Sequence, residues 1–333
     1  MKREKTLITM VNHHESFDKG IAALKELGID TVWEKDTIRS SRDPQTVIKY
    51  AQGYDYIFAG GEVWNGEVLD ACKDVKMIVR LGVGYDGINL KDCSDRGIPV
   101  TFMPGVNAGS VAELAVALAL SCVRRIPFMN GKVHAGDRKG AIYATNTLSG
   151  RTVGIMGFGN IGKKTALLFK AFGCNILAYD PYMDTKFADE HGITSVSIEE
   201  IYAKSDIISL HLPLTTDTKH IINSESIGKM KNGVIIINTS RGGIVNSADL
   251  AQAIREEKVA AAGLDVLEDE GAVGAGSIFF DLDNVIMTPH VGGATQDCFD
   301  SMMEHGIEQL KAFKEGREIK WLLNPEYADV KKD

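Results

Sequence analysis

The chain predicts an α/β protein of two parallel-sheet domains, one inserted into the other. Its 333 residues exceed a single domain of about 100 to 200 residues. Short apolar runs alternate with amphipathic stretches along most of the length, the pattern of βα units whose helices cover the faces of a parallel sheet. The last amphipathic stretch, Ala294 to Lys314, has no strand after it, as expected of a helix that returns to pack on the first domain.

In chain order, the first domain reads as strands at Leu7 to Val11, Thr31 to Glu34, Tyr56 to Ala59, Met77 to Arg80 and Pro99 to Phe102. Helices are expected between them, among them Phe17 to Leu27 and Val63 to Cys72. The stretch Ala108 to Ser121 is apolar nearly all round, the mark of a helix buried between large surfaces. It is either the spine of one domain or a contact between subunits. A second series of strands opens at Thr152 and runs through TVGIM, NILAYD, DIISLHL, GVIIINTS, AAAGLDV and NVIMTPH. The expected boundaries are 1–103 with 294–333 for the enclosing domain and 104–293 for the inserted one.

Charge and composition exclude several function classes. A formal net charge of -8 argues against a general nucleic-acid binder, which needs a basic face to neutralise phosphates. No apolar run approaches the roughly 18 residues of a membrane span, and the opening MKREKTLITMV reads as a first strand, not a signal peptide. The five cysteines are scattered and free of CxxC spacing, as for reduced thiols in a cytoplasmic protein, and no metal site is expected.

The strongest local motif is Gly157-Phe-Gly159-Asn-Ile-Gly162. It follows the strand TVGIM, opens a helix at Lys163 to Phe172, and precedes a strand ending in Asp180. Gly157 permits the tight turn, Gly159 lets backbone amides approach a pyrophosphate, and Gly162 lets helix and strand pack closely. Asp180 can accept hydrogen bonds from a ribose diol and would repel a 2'-phosphate, which favours NAD over NADP. Both domains are therefore expected to be Rossmann-like, the nucleotide-binding one set into a flavodoxin-like substrate domain.

Three polar residues stand at the carboxyl ends of successive strands, where open α/β sheets place their ligands. Arg241 follows IIINTS, Glu270 lies five residues beyond the Asp265 that ends GLD, and His290 follows NVIMTP. A histidine exchanges protons near neutral pH and suits the acid-base step of alcohol oxidation. Glu270 suits the task of fixing its tautomer, and Arg241 offers a planar fork of donors to a carboxylate.

With RLGVGYDGIN at 80–89, PGVNAGSVAELAVAL at 104–118, GFGNIG, YDP at 179–181, NTSRGGIVN at 238–246, GLDVLEDE at 263–270 and TPHVGGAT at 288–295, the chain resembles the D-isomer-specific 2-hydroxyacid dehydrogenases. That family includes phosphoglycerate, D-lactate and glyoxylate or hydroxypyruvate enzymes. The resemblance covers roughly residues 50 to 315. It implies that Arg241, Glu270 and His290 form a catalytic trio, that the backbone at Val83 and Gly84 meets the substrate carboxylate, and that Asn160, Ile161, Asp180, Thr239, Asp265 and Gly292 contact the cofactor. Arg80 is a further candidate for the substrate, with a structural cation as the other reading. For Asp265 a brace at the strand end is the other reading. The resemblance also implies a homodimer with Ala108 to Ser121 in its interface.

Two departures stand out: Gly271 follows Glu270 where the family usually has Pro, in the glycine-rich EGAVGAGS, and YDGIN replaces YDNID. AGGEVW places an acid, and no cation, where phosphoglycerate dehydrogenases often carry an Arg, which disfavours a phosphorylated substrate. No regulatory domain is expected after residue 320, which disfavours a feedback-regulated biosynthetic enzyme. The expected activity is hydride transfer between NAD(H) and a small D-2-hydroxy acid or 2-oxo acid. Phosphoglycerate oxidation and a non-catalytic, NAD-sensing corepressor-like protein are the alternatives.

Overall fold

The computed structural model describes residues 3–10, 15–34, 41–142, 144–272 and 274–330. Two compact units divide the chain, Met1–Asn107 with Ala294–Asp333, and Ala108–Gly293.

Among the described residues the first unit holds five parallel strands: β1 (Lys5–Ile8), β2 (Asp30–Trp33), β3 (Tyr56–Ala59), β4 (Met77–Arg80) and β5 (Val100–Thr101). Their order, β2-β1-β3-β4-β5, is the flavodoxin-like arrangement. β3 is buried at every position, as a central parallel strand covered on both faces must be, whereas the edge strand β2 alternates and leaves Val32 exposed. Trp64, Ile57 and Ile78 centre the core on one face, and Phe17, Phe58 and Met303 the core on the other. Each aliphatic fully buried there contributes about 1.5–3 kcal/mol.

The second unit holds β6 (Thr152–Met156), β7 (Asn175–Tyr179), β8 (Thr194–Ser195), β9 (Ile207–Leu210), β10 (Val234–Asn238), β11 (Val259–Leu264) and β12 (Val285–Met287). They run parallel in the order β12-β11-β10-β9-β6-β7-β8. The order reverses beside β6, between β9 and β7, which is the switch point where an α/β sheet opens a crevice for a ligand. The two-residue edge strand β8 carries no apolar run and was not expected from the sequence.

Boundaries differ from the sequence reading where capping intervenes. The helix expected from Val63 begins at Gly66, because Asn65 accepts from Val68 N as its N-cap and Trp64 is held in a bridge with Ile88. The last long helix is Gln296–Lys314, started by Thr295 accepting from Cys298 N. β1 ends at Ile8, and Val11 lies outside the described residues. Helix Ala108–Arg124 packs Ala115, Leu118, Ala119 and Cys122 into the core of the second unit, so one of its faces is that unit's spine.

Candidate active site

The glycine turn follows β6. Gly157 has φ +94, and a side chain there would meet the His211 carbonyl oxygen at 2.5 Å, so the left-handed turn and the close approach of β9 both require glycine. At Gly162 a Cβ would lie 2.0 Å from the Gly157 carbonyl oxygen. Helix Asn160–Ala171 starts behind Gly159 with no capping side chain, and Gly159 and Asn160 are exposed. Its first-turn N–H groups, including Asn160 and Ile161, thus form a cradle for an anion.

Asp180 stands at the end of β7. Its Oδ2 accepts from Phe158 N at 2.6 Å and its Oδ1 from Tyr182 N at 2.8 Å, which orients the carboxylate beside the glycine turn. The lone pairs left on it suit a diol. Thr239 is buried and its Oγ1 has no hydrogen-bond partner among the described residues. An orphaned hydroxyl at the carboxyl end of β10, in the sheet that carries the glycine turn, fits a bound group that completes it.

Arg241 follows β10 in an extended conformation and caps the short turn Gly242–Ile244. Asn238, buried at the end of β10, donates to the Arg241 carbonyl at 2.9 Å and accepts from Ser240 N and Oγ, so one amide fixes the whole NTSR corner. The guanidinium itself donates from Nη1 to the Ser240 carbonyl at 2.8 Å.

His290 and Glu270 meet. His290 Nδ1 donates to Glu270 Oε1 at 3.0 Å, with the two side chains 50 and 54% exposed. His290 has φ +54, an uncommon conformation for a residue with a Cβ. Its N–H bonds the Asp265 carbonyl at 2.8 Å. The Asp265 carboxylate accepts from Thr288 Oγ1 at 2.6 Å, Val291 N at 2.9 Å and Gly292 N at 2.8 Å. Three donors, the Gly292 amide among them, gather on one buried carboxylate, so Asp265 ties the TPHVGG turn to the end of β11. Val273 lies outside the described residues; Gly274–Gly276 forms a short turn.

In the first unit Arg80 donates from Nε to the Gly84 carbonyl at 2.5 Å, from Nη1 to the Ala59 carbonyl at 3.4 Å, and to the Leu81 carbonyl. It therefore shapes the loop Leu81–Gly84, whose Gly82 has φ +146. Glu62, the acid of AGGEVW, is fully buried and accepts from Thr9 Oγ1 at 2.8 Å and Trp64 Nε1 at 2.9 Å. Burial pushes its carboxyl up, against the lowering effect of those bonds and of Arg80. Trp64 is core, and Tyr85 lies edge-on to Phe102 with much of its surface exposed.

The sequence reading missed two histidines. His211, just beyond β9, is half-buried with Nε2 on Ser209 Oγ at 2.9 Å, and loss of solvent around its ring lowers it to about 3, so it is neutral. His220 pairs with Glu268, 48 residues away, which no local pattern announces. The five cysteines are all free and buried, and burial pushes Cys93 and Cys122 up to about 12. No cluster of metal-ligating side chains and no helix long and apolar enough to cross a membrane occurs among the described residues.

Residues 116–292 match the model of the D-isomer specific 2-hydroxyacid dehydrogenase, NAD binding domain. A hydroxypyruvate reductase of Thermotoga maritima is 41% identical over 251 residues, 75% of this chain and 80% of that one. A D-3-phosphoglycerate dehydrogenase of Archaeoglobus fulgidus is 37% identical over 262 residues, 78% of this chain and only 50% of its own length. Among solved structures, D-lactate dehydrogenase from Aquifex aeolicus complexed with NAD and lactic acid superposes with a TM-score of 0.79 at 30% identity, covering 93% of this chain and 96% of that one.

Proposed function

Since the chain belongs to the D-isomer-specific 2-hydroxyacid dehydrogenases, we propose that it reduces a small, unphosphorylated 2-oxo acid to the D-2-hydroxy acid, with His290, Glu270 and Arg241 as its catalytic residues. The enzyme is NAD-dependent.

The observation that carries this reading is the 3.0 Å bond from His290 Nδ1 to Glu270. A carboxylate on Nδ1 holds that nitrogen as the donor and leaves Nε2 as the atom that exchanges a proton. In reduction, Nε2 delivers a proton to the oxygen that becomes the hydroxyl, and in oxidation it removes it. Glu270 keeps the ring oriented and stabilises its charged form. Arg241, on a corner made rigid by Asn238, engages the substrate carboxylate and polarises the 2-oxo group with the donors of its fork. The bound cofactor supplies or accepts the hydride.

We assign the cofactor to Gly157, Gly159, Asn160, Ile161, Gly162, Asp180 and Thr239, with Asp265 and Gly292 acting as the brace behind His290. In the first unit, backbone amides at Val83 and Gly84 are assigned to the substrate carboxylate, with Arg80 holding their loop. An unphosphorylated substrate is supported by the name of the Thermotoga relative and by AGGEVW, whose only charged group is the buried Glu62. A cytoplasmic homodimer belongs to the same proposal. Its supports are the five buried thiols and the helix Ile126–His134, which buries no residue and exposes Ile126 and Val133.

The test is oxidation of NADH, followed by its absorbance, against hydroxypyruvate, glyoxylate, pyruvate and 3-phosphohydroxypyruvate. Faster turnover of an unphosphorylated member is expected. A preference for the phosphorylated acid would overturn the substrate assignment, and binding of NADH with no turnover of any 2-oxo acid would overturn the reaction.

A further inference from the structure

One residue touches the loops that carry two of the three assigned catalytic side chains. The backbone N–H of His220 donates to the Gly243 carbonyl at 2.9 Å, two residues after Arg241. Its ring Nε2 donates to Glu268 Oε1 at 2.5 Å, two residues before Glu270. The two loops are themselves in backbone contact, because a Cβ at Gly242 would lie 1.9 Å from the Leu267 carbonyl oxygen. Any shift of the Glu268 segment is therefore felt at Gly242.

The pair is held from its other sides too. Glu268 Oε2 accepts from Ser247 N, at the start of helix Ser247–Arg255, at 3.3 Å. Burial would raise the Glu268 carboxyl, yet the bonds from His220 and Ser247 bring it below its usual value, so it is an anion at neutral pH. His220 adopts φ +52, and its carbonyl accepts from Asn223 Nδ2 at 2.8 Å. A residue with a Cβ kept in the left-handed region at a loop junction is over-determined by its partners.

We propose that His220 and Glu268 are a positioning pair that sets the Arg241 corner against the Glu270 segment, and so the geometry of substrate clamp and acid-base couple. The pair touches no substrate, and the proposal rests on the roles given above to Arg241 and Glu270. A misplacement of about 1 Å at groups that orient a substrate costs up to two orders of magnitude in rate. A partly exposed strut such as this one gives a smaller effect.

Glu268→Gln keeps the shape and removes the charge. In the full-length enzyme, kcat/KM for the best 2-oxo acid should fall roughly tenfold. KM should rise through Arg241 and kcat fall through Glu270, while the dissociation constant for NADH stays within about twofold. His220→Ala should match that loss, and His220→Gln, which keeps a donor at similar reach, should recover most of it. The double variant His220→Ala with Glu268→Gln should be no worse than either single one. Amide hydrogen exchange should quicken at residues 241–245 and 266–271 in Glu268→Gln. Wild-type kcat/KM in Glu268→Gln, losses that multiply in the double variant, or NADH affinity falling in step with turnover would each overturn the pair. Exchange does not depend on turnover. A wild type that reduced no 2-oxo acid would remove the functional reading, and unchanged exchange in Glu268→Gln would separately overturn the coupling of the two loops.

Discussion

At the carboxyl ends of β3 and β4 the charged side chains are buried or engaged by backbone, whereas Arg241, Glu270 and His290, beyond β10, β11 and β12, stand partly or largely exposed. Arg80 donates to the carbonyls of Ala59, Leu81 and Gly84, and Glu62 lies between Thr9 and Trp64. Arg241, Glu270 and His290 instead sit on corners fixed by other residues, Asn238 for the first and Asp265 for the last. The same βα architecture thus yields two kinds of strand end. In the function proposed here the first unit shapes main chain, assigned to hold an anion without titrating. The second presents the side chains assigned to move a proton.

That difference can be attacked from both sides. The largest effect is expected at the proton-moving end: His290→Ala should lower kcat about a thousandfold, within the range for loss of a general acid, with NADH affinity kept. Near-normal turnover would erase the distinction between the units. Next, Arg241→Ala should reduce kcat/KM for the 2-oxo acid by roughly a hundredfold, mostly through KM, as removal of a charge-assisted fork predicts. An unchanged KM would move the carboxylate clamp elsewhere. Arg80→Lys tests the main-chain end. A point charge cannot hold three carbonyls as a planar fork does, so kcat/KM should drop about tenfold while NADH binding is unaffected. Wild-type kinetics in that variant would show that the loop holds its shape without the fork.

The smallest effect is a slope. His211 in the second unit is neutral when folded, lowered from 6.5 to about 3, so the unfolded chain binds its proton first as the medium is acidified. Its contribution is complete above pH 6.5 and is lost as pH falls towards 3, by at most about 1.4 kcal/mol per pH unit. Glu4 in the first unit is different: burial would raise it, but bonds from Lys314, Lys76 and Tyr56 bring it down to about 2 from 4.5. Its share is lost only below pH 4.5. Melting temperatures between pH 7 and pH 5, buffers chosen on the scale of these shifts, should therefore fall more steeply in the wild type than in His211→Gln. Parallel slopes would mean that His211 is not the group that titrates.

Much of the site was legible in particular residues. Gly157 and Gly162 could be read because each satisfies a backbone demand within one βα turn, and Asp180 because it ends the strand that follows. Arg241, Glu270 and His290 were flagged by their place after apolar runs that are now β10, β11 and β12. Asp265 kept two readings open, and the three donors on its carboxylate, gathered from residues more than twenty positions away, support the brace. The charge of Glu62 was visible, but its burial was not. The helix expected at Val63 was misplaced because a bridge to Ile88 holds Trp64 out of the helix.

The sequence by itself determined the two parallel-sheet units, the dinucleotide turn and the chemistry available at the strand ends, because hydrophobic period, glycine φ and strand-end position are properties of short stretches of chain. Tertiary structure alone decided that Nδ1 of His290 faces Glu270, that Arg80 is held by its own loop, and that His220 reaches Glu268. Those outcomes depend on which residues far apart in the chain are brought within about 3 Å, the reach of a hydrogen bond, and no periodicity encodes that distance.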